Sequence, residues 1–175
     1  MAKDTQPHFE LPPSPWVQRW ASFIRPGGVV LDVAAGSGRH ARLLARMGFE
    51  VEAVDRDASL FAAPPPRVNV VEADIEAGPW PFAGRKFDGI VVTHYLHRPL
   101  IGVLVDSLER GGMLVYETFA QGNERFGKPS NPAFLLAPGE LLEAVRGKLR
   151  VVGYEDLTVN EPRPAALQRL AARRE

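Results

Sequence analysis

The stretch from Val29 to Gly48, VVLDVAAGSGRHARLLARMG, constrains the fold of this 175-residue chain more than any other. It begins with a continuous apolar run, residues 29–33, that is typical of a strand buried in a parallel sheet and that carries one acid, Asp32. A loop containing Gly36 and Gly38 follows, and an amphipathic segment comes next. A strand, a glycine loop and a helix in this order predict an α/β fold.

Strands and helices alternate along the rest of the chain. Ser14 and Pro15 are a typical helix cap and first helical residue, and this helix is predicted to end by Ile24 or Arg25. Apolar runs bounded by Gly, Pro or acidic residues predict further strands, and periodic segments between them predict helices. The predicted strands are 29–33, 51–55, 68–74, 87–95, 113–120 and 149–159, and the remaining predicted helices are 39–47, 100–110 and 138–147.

The two ends of the chain are less regular than its centre. Residues 165–172 are rich in Ala, Leu, Gln and Arg, which favour a helix, but their position after a strand also allows an antiparallel strand. Residues 1–13 are polar and rich in proline, and we expect them to form a flexible arm. Residues 14–175 are then predicted to form a single domain.

Composition excludes several classes of site. The chain has no cysteine, which excludes a disulfide scaffold, a zinc–thiolate site and a cysteine nucleophile, and we expect no metal. Lys and Arg balance Asp and Glu at 21 each, which is unlike the basic field of a general nucleic-acid binder. No apolar run has the length of a membrane span, and the first residues lack the apolar core of a signal peptide. These features predict a cytoplasmic protein without a membrane partner.

The glycine loop is compatible with two kinds of nucleotide cofactor. Gly36, Gly38 and Ala41 fit the fingerprint G-x-G-x-x-G/A of dinucleotide-binding proteins, in which Asp55 would bind a ribose hydroxyl. Against this interpretation, Asp32 lies within the end of the strand, two alanines lengthen the loop, and the chain has no Tyr-x-x-x-Lys pair. An NAD(P)-binding oxidoreductase therefore stays an alternative.

Three successive predicted strands are each followed or ended by an acid: Asp32, Asp55 and Asp74. With the segment Asp32-Val-Ala34-Ala-Gly36-Ser-Gly38, this pattern resembles the class I S-adenosylmethionine-dependent methyltransferases, whose first motif is acid-x-Gly-x-Gly-x-Gly. Ala34 stands where that motif has its first glycine. The stretches SPWVQRW, GSGRHARLLA, HYLHRPL and YETFAQGNERFGKPSNPAFLLAPGEL are similar to small bacterial methyltransferases of the TehB-like type.

The resemblance implies a Rossmann-like, doubly wound, seven-stranded and mostly parallel sheet, with residues 165–172 as a final antiparallel strand. It also implies S-adenosylmethionine as cofactor and a role for each motif residue. The loop from Ala34 to Gly38 would pass under the methionine part, Asp32 would hold its amino end, and Asp55 would accept hydrogen bonds from both ribose hydroxyls. On the adenine side, Asp74 would accept from the amino group, Ile75 would contact the ring, and Arg56 would stack on it or face solvent.

A methyl acceptor is expected beyond strands four and five, since ligands of such sheets bind at the carboxyl ends of strands. His94, Tyr95 and His97 follow strand four and are candidate catalytic residues, although local packing is an equally simple role for each. Residues 119–140 form a long connection that is typical of a lid. Its candidate substrate-binding residues are Asn123, Phe126 and Asn131.

These features predict transfer of a methyl group to a small molecule by a monomer or homodimer. The alternatives are a module that binds S-adenosylmethionine or its product without turnover, and an RNA methyltransferase. A nucleic-acid acceptor is disfavoured because Arg39, Arg42 and Arg46 fit a solvated helix face, and because the Asn-Pro-Pro-Tyr-type motif of base-amino methyltransferases does not follow strand four.

Overall fold

The computed structural model describes residues 11–175, and within them the chain forms seven strands and four α-helices. Short 3₁₀ turns occupy Ala58–Leu60, Asn123–Arg125 and Pro132–Phe134. In chain order the main elements are α1 (Pro15–Ala21), β1 (Val29–Val33), α2 (Arg39–Arg46), β2 (Glu50–Asp55), β3 (Val68–Glu72), β4 (Phe87–Thr93), α3 (Arg98–Asp106), β5 (Leu108–Phe119), α4 (Glu140–Val145), β6 (Arg150–Val159) and β7 (Ala165–Arg173).

The strands form one sheet in the order β3-β2-β1-β4-β5-β7-β6. All neighbouring pairs from β3 to β5 are parallel, and β7 runs antiparallel to both β5 and β6. The predicted fold is confirmed, including the antiparallel strand that helix propensity alone does not predict. The strand order reverses between β1 and β4, which places a crevice at their carboxyl ends.

Helices cover both faces of the sheet, and each face has its own apolar core. Alternate residues of β1 point to opposite faces: Val30 belongs to the core under α1 and α2, whereas Leu31 and Val33 belong to the core under α3 and α4. Trp16 and Trp20 of α1 lie in the first of these cores, with ring centroids 5.6 Å apart. A strand buried on both faces explains why the run 29–33 has no polar residue except Asp32.

The start of α1 is fixed to the rest of the molecule by its cap. The Ser14 hydroxyl accepts hydrogen bonds from the backbone N–H groups of Trp16, at 3.1 Å, and Val17, at 3.4 Å. The Trp16 indole N–H donates to the backbone carbonyl of Leu170 at 3.2 Å. Residues 11–14, which lead into α1, therefore lie beside the end of the sheet where β1, β4 and β5 finish.

Element boundaries differ from the predicted ones in one substantial place. The predicted helix 100–110 ends at Asp106, because the Ser107 hydroxyl donates to the Val103 carbonyl at 2.8 Å and the chain then turns into the sheet. Leu108 is already the parallel partner of Phe87 and is buried. Burial of Leu108 in the sheet outweighs its high helix propensity, so β5 begins before the glycine pair that was predicted to precede it.

Most of the predicted N-terminal arm lies outside the described residues, which begin at Leu11. Leu11 and Pro13 are half-buried, and Pro12 accepts a hydrogen bond at its carbonyl from Arg39 at 3.0 Å. No helix in the described part of the chain is long and apolar enough to cross a membrane. The cytoplasmic location, the oligomeric state and the division at residue 13 stay predictions.

Candidate active site

The glycine loop between β1 and α2 is held in left-handed backbone conformations. The φ angles of Ala34, Gly36 and Gly38 are +54°, +55° and +82°. The Asp55 carboxylate at the end of β2 fixes this loop, since one oxygen accepts the Gly36 N–H at 2.8 Å. Its other oxygen accepts the Asp57 N–H at 3.0 Å. Each carboxylate oxygen has two lone pairs, so Asp55 can still accept from a ligand.

A cavity of about 200 Å³ lies over this loop at the switch point between β1 and β4. Gly36 opens onto it, and a Cβ built on Gly36 would meet nothing within 4 Å. Gly38, also predicted to border a cofactor, does not line the cavity; a Cβ there would fall 2.2 Å from the Phe61 ring. We name this space the loop cavity; its walls are Ala34, Ala35, Gly36, Ser37, Arg39, His40, Asp55, Leu60, Thr93 and His94.

Asp32 is 1 % exposed and does not line the loop cavity. One of its carboxyl oxygens has no hydrogen-bond partner within the described part of the chain. Burial raises the pKa of Asp32 to about 7, against the opposing effects of a hydrogen bond from the Ala41 N–H and the charge of Arg39. An acid with an unused oxygen in this position can receive a cationic or N–H group that enters above the loop.

The remaining predicted cofactor residues lie on the other side of β2, and none of them borders the loop cavity. Asp74 accepts the backbone N–H groups of Glu76 and Ala77, each at 3.0 Å, and these bonds lower its pKa. Ile75 is half-buried against the core, and Arg56 is exposed, near enough to Asp74 to lower its pKa further. Asp74 thus presents an exposed, ionised carboxylate with one oxygen not used by the turn.

The three predicted catalytic residues do not share one site. The Tyr95 hydroxyl donates to Glu76 at 3.1 Å, and His97 Nδ1 lies 3.9 Å from the same carboxylate. Burial and the neighbouring Glu76 raise the pKa of Tyr95. Tyr95 and His97 therefore belong to the surroundings of Asp74. Their catalytic role stays a prediction.

His94 has a different environment. Its φ of +52° is rare for a residue with a side chain, and its ring stacks on Phe119 with centroids 4.7 Å apart. Its Nδ1 lies 3.5 Å from an Arg39 nitrogen. His94 lines the loop cavity and also two cavities on the far side of β4, so its ring forms part of the wall between them.

His40 lies in the first turn of α2 and is buried. Its Nε2 accepts the Ser14 N–H at 3.0 Å, so Nδ1 carries the proton and donates to the Thr93 hydroxyl at 3.1 Å. Burial lowers the pKa of His40 to about 3, which keeps the ring neutral. His40 therefore connects α1, α2 and the end of β4 behind the loop cavity.

A larger cavity of about 470 Å³ lies next to the loop cavity and shares Arg39 and His94 with it. We call it the acceptor cavity. Its floor carries a row of charges across three strands, in which Arg169 of β7 bonds Glu117 of β5 at 2.5 Å and Glu155 of β6 at 2.9 Å. Its walls are Leu11–Pro15, Gln18, Arg39, His94, Glu117, Phe119, Val159, Glu161–Arg163, Ala165, Leu167 and Arg169.

Sequence reasoning missed this row because its members are far apart in the chain. Glu117 and Arg169 become direct neighbours through the antiparallel pairing of β5 with β7, and Glu155 faces Arg169 through the pairing of β6 with β7. Glu117 is 3 % exposed. An acid inside the buried strand YETF is the one sequence signal that indicates a partner from another strand.

Of the predicted substrate-binding residues in the loop after β5, Asn131 lines a cavity next to the acceptor cavity. That cavity, of about 480 Å³, also contacts His94, Phe119 and Arg163. Asn123 is buried; its amide donates to the Pro129 carbonyl at 2.9 Å and accepts the Ala166 N–H at 3.2 Å. It therefore fixes the loop to β7, and Phe126 is exposed outside these cavities.

Part of the chain is similar to a family of known proteins. Residues 30–112, which include β1, the glycine loop and β4, match a family described as a methyltransferase domain. This part of the chain is therefore similar to methyltransferase domains. A curated relative, protein-L-isoaspartate O-methyltransferase of Methylorubrum extorquens, is 43 % identical over 80 residues. That match covers 42 % of this chain and 34 % of the relative, so the chain spans about a third of the relative's length.

Solved structures agree with this methyltransferase fold over most of the chain. TehB from Haemophilus influenzae superposes with a TM-score of 0.76 at 19 % identity, over 91 % of this chain and 61 % of TehB. The glycopeptide N-methyltransferase MtfA, solved with S-adenosyl-L-homocysteine, gives a TM-score of 0.67 at 19 % identity, over 95 % of this chain and 92 % of MtfA. The predicted Rossmann-like fold is confirmed, and the match of residues 30–112 supports the predicted methyltransferase family.

Proposed function

We propose that this methyltransferase domain transfers a methyl group from S-adenosylmethionine to a small-molecule acceptor. The observation that carries the proposal is the pair of adjoining cavities at the switch point, one over the glycine loop and one of about 470 Å³ beyond Arg39 and His94. A volume of that size fits a small organic molecule. S-adenosylmethionine, when bound, supplies an activated methyl group, and the protein's task is to position the acceptor.

The residues around the loop suit this cofactor. The open space at Gly36 admits a ligand close to the backbone, and Asp55 has lone pairs left for ribose hydroxyls. The unused buried oxygen of Asp32 suits the amino end of the methionine part. On the far side of β2 we assign Asp74, Ile75 and Arg56 to the adenine, where the free oxygen of Asp74 can accept from its amino group.

On the acceptor side, we assign positioning of the substrate to His94, whose ring borders both cavities. Asn131 borders the neighbouring space beneath the loop after β5 and is a further candidate for substrate contact. Tyr95 and His97 are assigned to the cofactor side through Glu76 rather than to the acceptor. In this arrangement no residue is required to remove a proton from the acceptor.

The first test is calorimetric titration with S-adenosylhomocysteine. We expect micromolar binding, and we expect Asp55→Ala to weaken it about 10- to 100-fold, because a charge-assisted hydrogen bond contributes about 1.5–3 kcal/mol. Asp57→Ala is the matched control, since Asp57 is exposed, does not line the loop cavity, and keeps its backbone N–H for Asp55. Binding of NADH in place of S-adenosylhomocysteine would contradict the proposal and favour the oxidoreductase alternative.

A second measurement separates turnover from binding alone. Release of S-adenosylhomocysteine from S-adenosylmethionine in the presence of small acceptors is expected for an enzyme. Binding without release across acceptors of several chemical classes, including RNA, would favour a module that only holds the cofactor. Release with RNA alone would favour an RNA methyltransferase.

A further inference from the structure

The wall between the loop cavity and the acceptor cavity carries an arginine without an ion-pair partner. Arg39 is half-buried, and no carboxylate among residues 11–175 lies within ion-pair distance of it. Its guanidinium donates to the Pro12 carbonyl and lies 3.5 Å from His94 Nδ1. Its five N–H donors therefore exceed the acceptors around it. A partly desolvated positive charge with unused donors is stabilised by an anion that binds beside it.

A second arginine, from another part of the fold, lines the same cavity. Arg163 lies in the turn between β6 and β7 and lines the acceptor cavity together with Arg39. It has no hydrogen-bond or ion-pair partner in the described part of the chain. Burial lowers the pKa of Arg39; the charges of Glu117 and Asp32 oppose this effect, and repulsion from Arg163 adds to it. An anion that binds between two cations attracts both of them and offsets their mutual repulsion.

Among residues 11–175 neither acid on the walls forms an ion pair with Arg39 or Arg163, although the charge of Glu117 acts on Arg39. Glu117 is already bonded to Arg169 at 2.5 Å, in a row that ends at Glu155. Glu161 is exposed at the tip of the β6–β7 turn. The same lining includes the apolar residues Phe119, Val159, Ala165 and Leu167, together with the polar residues Ser14 and Gln18. The cavity thus combines a cationic end with an apolar body.

We propose that the acceptor is a small organic carboxylate whose anionic group binds between Arg39 and Arg163 while its apolar part lies against Phe119, Val159 and Leu167. Arg39 also borders the loop cavity, so the bound carboxylate lies at the end of the acceptor cavity that is nearest the cofactor. This inference rests on the proposed methyltransferase function and specifies the chemistry of its acceptor.

The test is binding to the protein saturated with S-adenosylhomocysteine, which removes turnover from the measurement. Benzoate, cinnamate and octanoate are each compared with their primary amides by calorimetry. We expect the protein to bind each acid that it binds at least about 10-fold more tightly than the corresponding amide. We expect Arg163→Gln to abolish this preference for the acid. Arg110→Gln, at an exposed arginine away from both cavities, is the matched control and should keep it.

The outcomes separate the two proposals. If S-adenosylhomocysteine binds but acids bind no better than amides, or no acid binds, the carboxylate inference is overturned and the methyltransferase function stands. If S-adenosylhomocysteine does not bind, the proposed function itself fails. Arg163 is exposed, so Arg163→Gln should unfold at the same temperature as the parent protein. An unchanged preference for acids in Arg163→Gln would also overturn the inference.

Discussion

Ala34 adopts a backbone conformation that is strained for every residue except glycine. Its φ of +54° lies in the left-handed region, where a Cβ is disfavoured by about 1–2 kcal/mol. Glycine avoids this strain but loses more conformational entropy on folding. We therefore expect Ala34→Gly to leave the free energy of unfolding unchanged or to raise it by up to about 1 kcal/mol, as measured by urea denaturation.

The neighbouring alanine provides the control for this substitution. Ala35 is half-buried in the same loop but is not among the described residues with positive φ. Ala35→Gly therefore brings only the entropic cost, and we expect it to lower the free energy of unfolding by about 0.5–1 kcal/mol. Equal losses in both variants would show that Ala34 is not strained.

At the scale of elements, the shortest α-helix depends on a strand for its first hydrogen bonds. α4 has six residues, and its cap, Gly139, offers no side-chain acceptor. Gln168 of β7 replaces that cap: it accepts the Leu141 N–H at 2.8 Å and donates to the Ala137 carbonyl at 2.9 Å. An isolated helix of this length does not form in water, so its position depends on β7.

Gln168→Leu should therefore lower the free energy of unfolding by about 1–3 kcal/mol, because it leaves buried backbone groups unpaired. In Gln168→Leu, amide hydrogens of α4 should exchange faster than they do in the parent protein, and this increase should be larger in α4 than in β1. Gln121→Leu, at an exposed glutamine, is the control and should change neither measurement. Unaltered exchange in α4 of Gln168→Leu would contradict this dependence.

Elements with a strong local pattern were predicted well, and those that depend on partners were not. The strand 29–33 was predicted at its observed bounds, because its apolar run is buried on both faces. The change from α3 to β5 was predicted too late, since Leu108 has helix propensity but packs beside Phe87. The last strand has the composition of a helix, and only the resemblance to a family indicated β7.

At the scale of the molecule, two buried groups give stability opposite dependences on pH. The folded state raises the pKa of Asp32 from 3.8 to about 7, so its contribution to the free energy of unfolding decreases as pH rises through that range. The folded state lowers the pKa of His40 from 6.5 to about 3, so its contribution decreases as pH falls below 6.5. Between pH 6.5 and about 4 the two effects oppose each other.

Single substitutions should separate these effects in urea denaturation at pH 7 and pH 5. In the Asp32→Asn variant, the effect of Asp32 no longer opposes that of His40. The free energy of unfolding of this variant should therefore fall by about 2 kcal/mol between pH 7 and pH 5. His40→Gln should show a rise of similar size, and the parent protein should change less than either. Asp74→Asn is the control, because the lowered pKa of this exposed carboxylate lies below the range tested. Parallel profiles for all four proteins would refute the assignment.

The residues of the glycine loop were predicted more fully than those of the acceptor cavity. Ala34, Gly36 and Asp55 follow directly from the ends of neighbouring parallel strands and line the loop cavity, whereas Asp32 is buried and does not line it. Their roles in cofactor binding stay predictions. The acceptor cavity instead combines α2, β5 and the β6–β7 turn, whose pairing no local pattern reveals. Its charged residues could be recognised only after the strand order was known.

The shared wall of Arg39 and His94 has a thermodynamic consequence for catalysis. Both side chains border the loop cavity and the acceptor cavity, so a ligand that reorients them on one side changes the surface presented on the other. The two binding free energies are then coupled, and the coupling is reciprocal: each ligand alters the affinity for the other by the same factor.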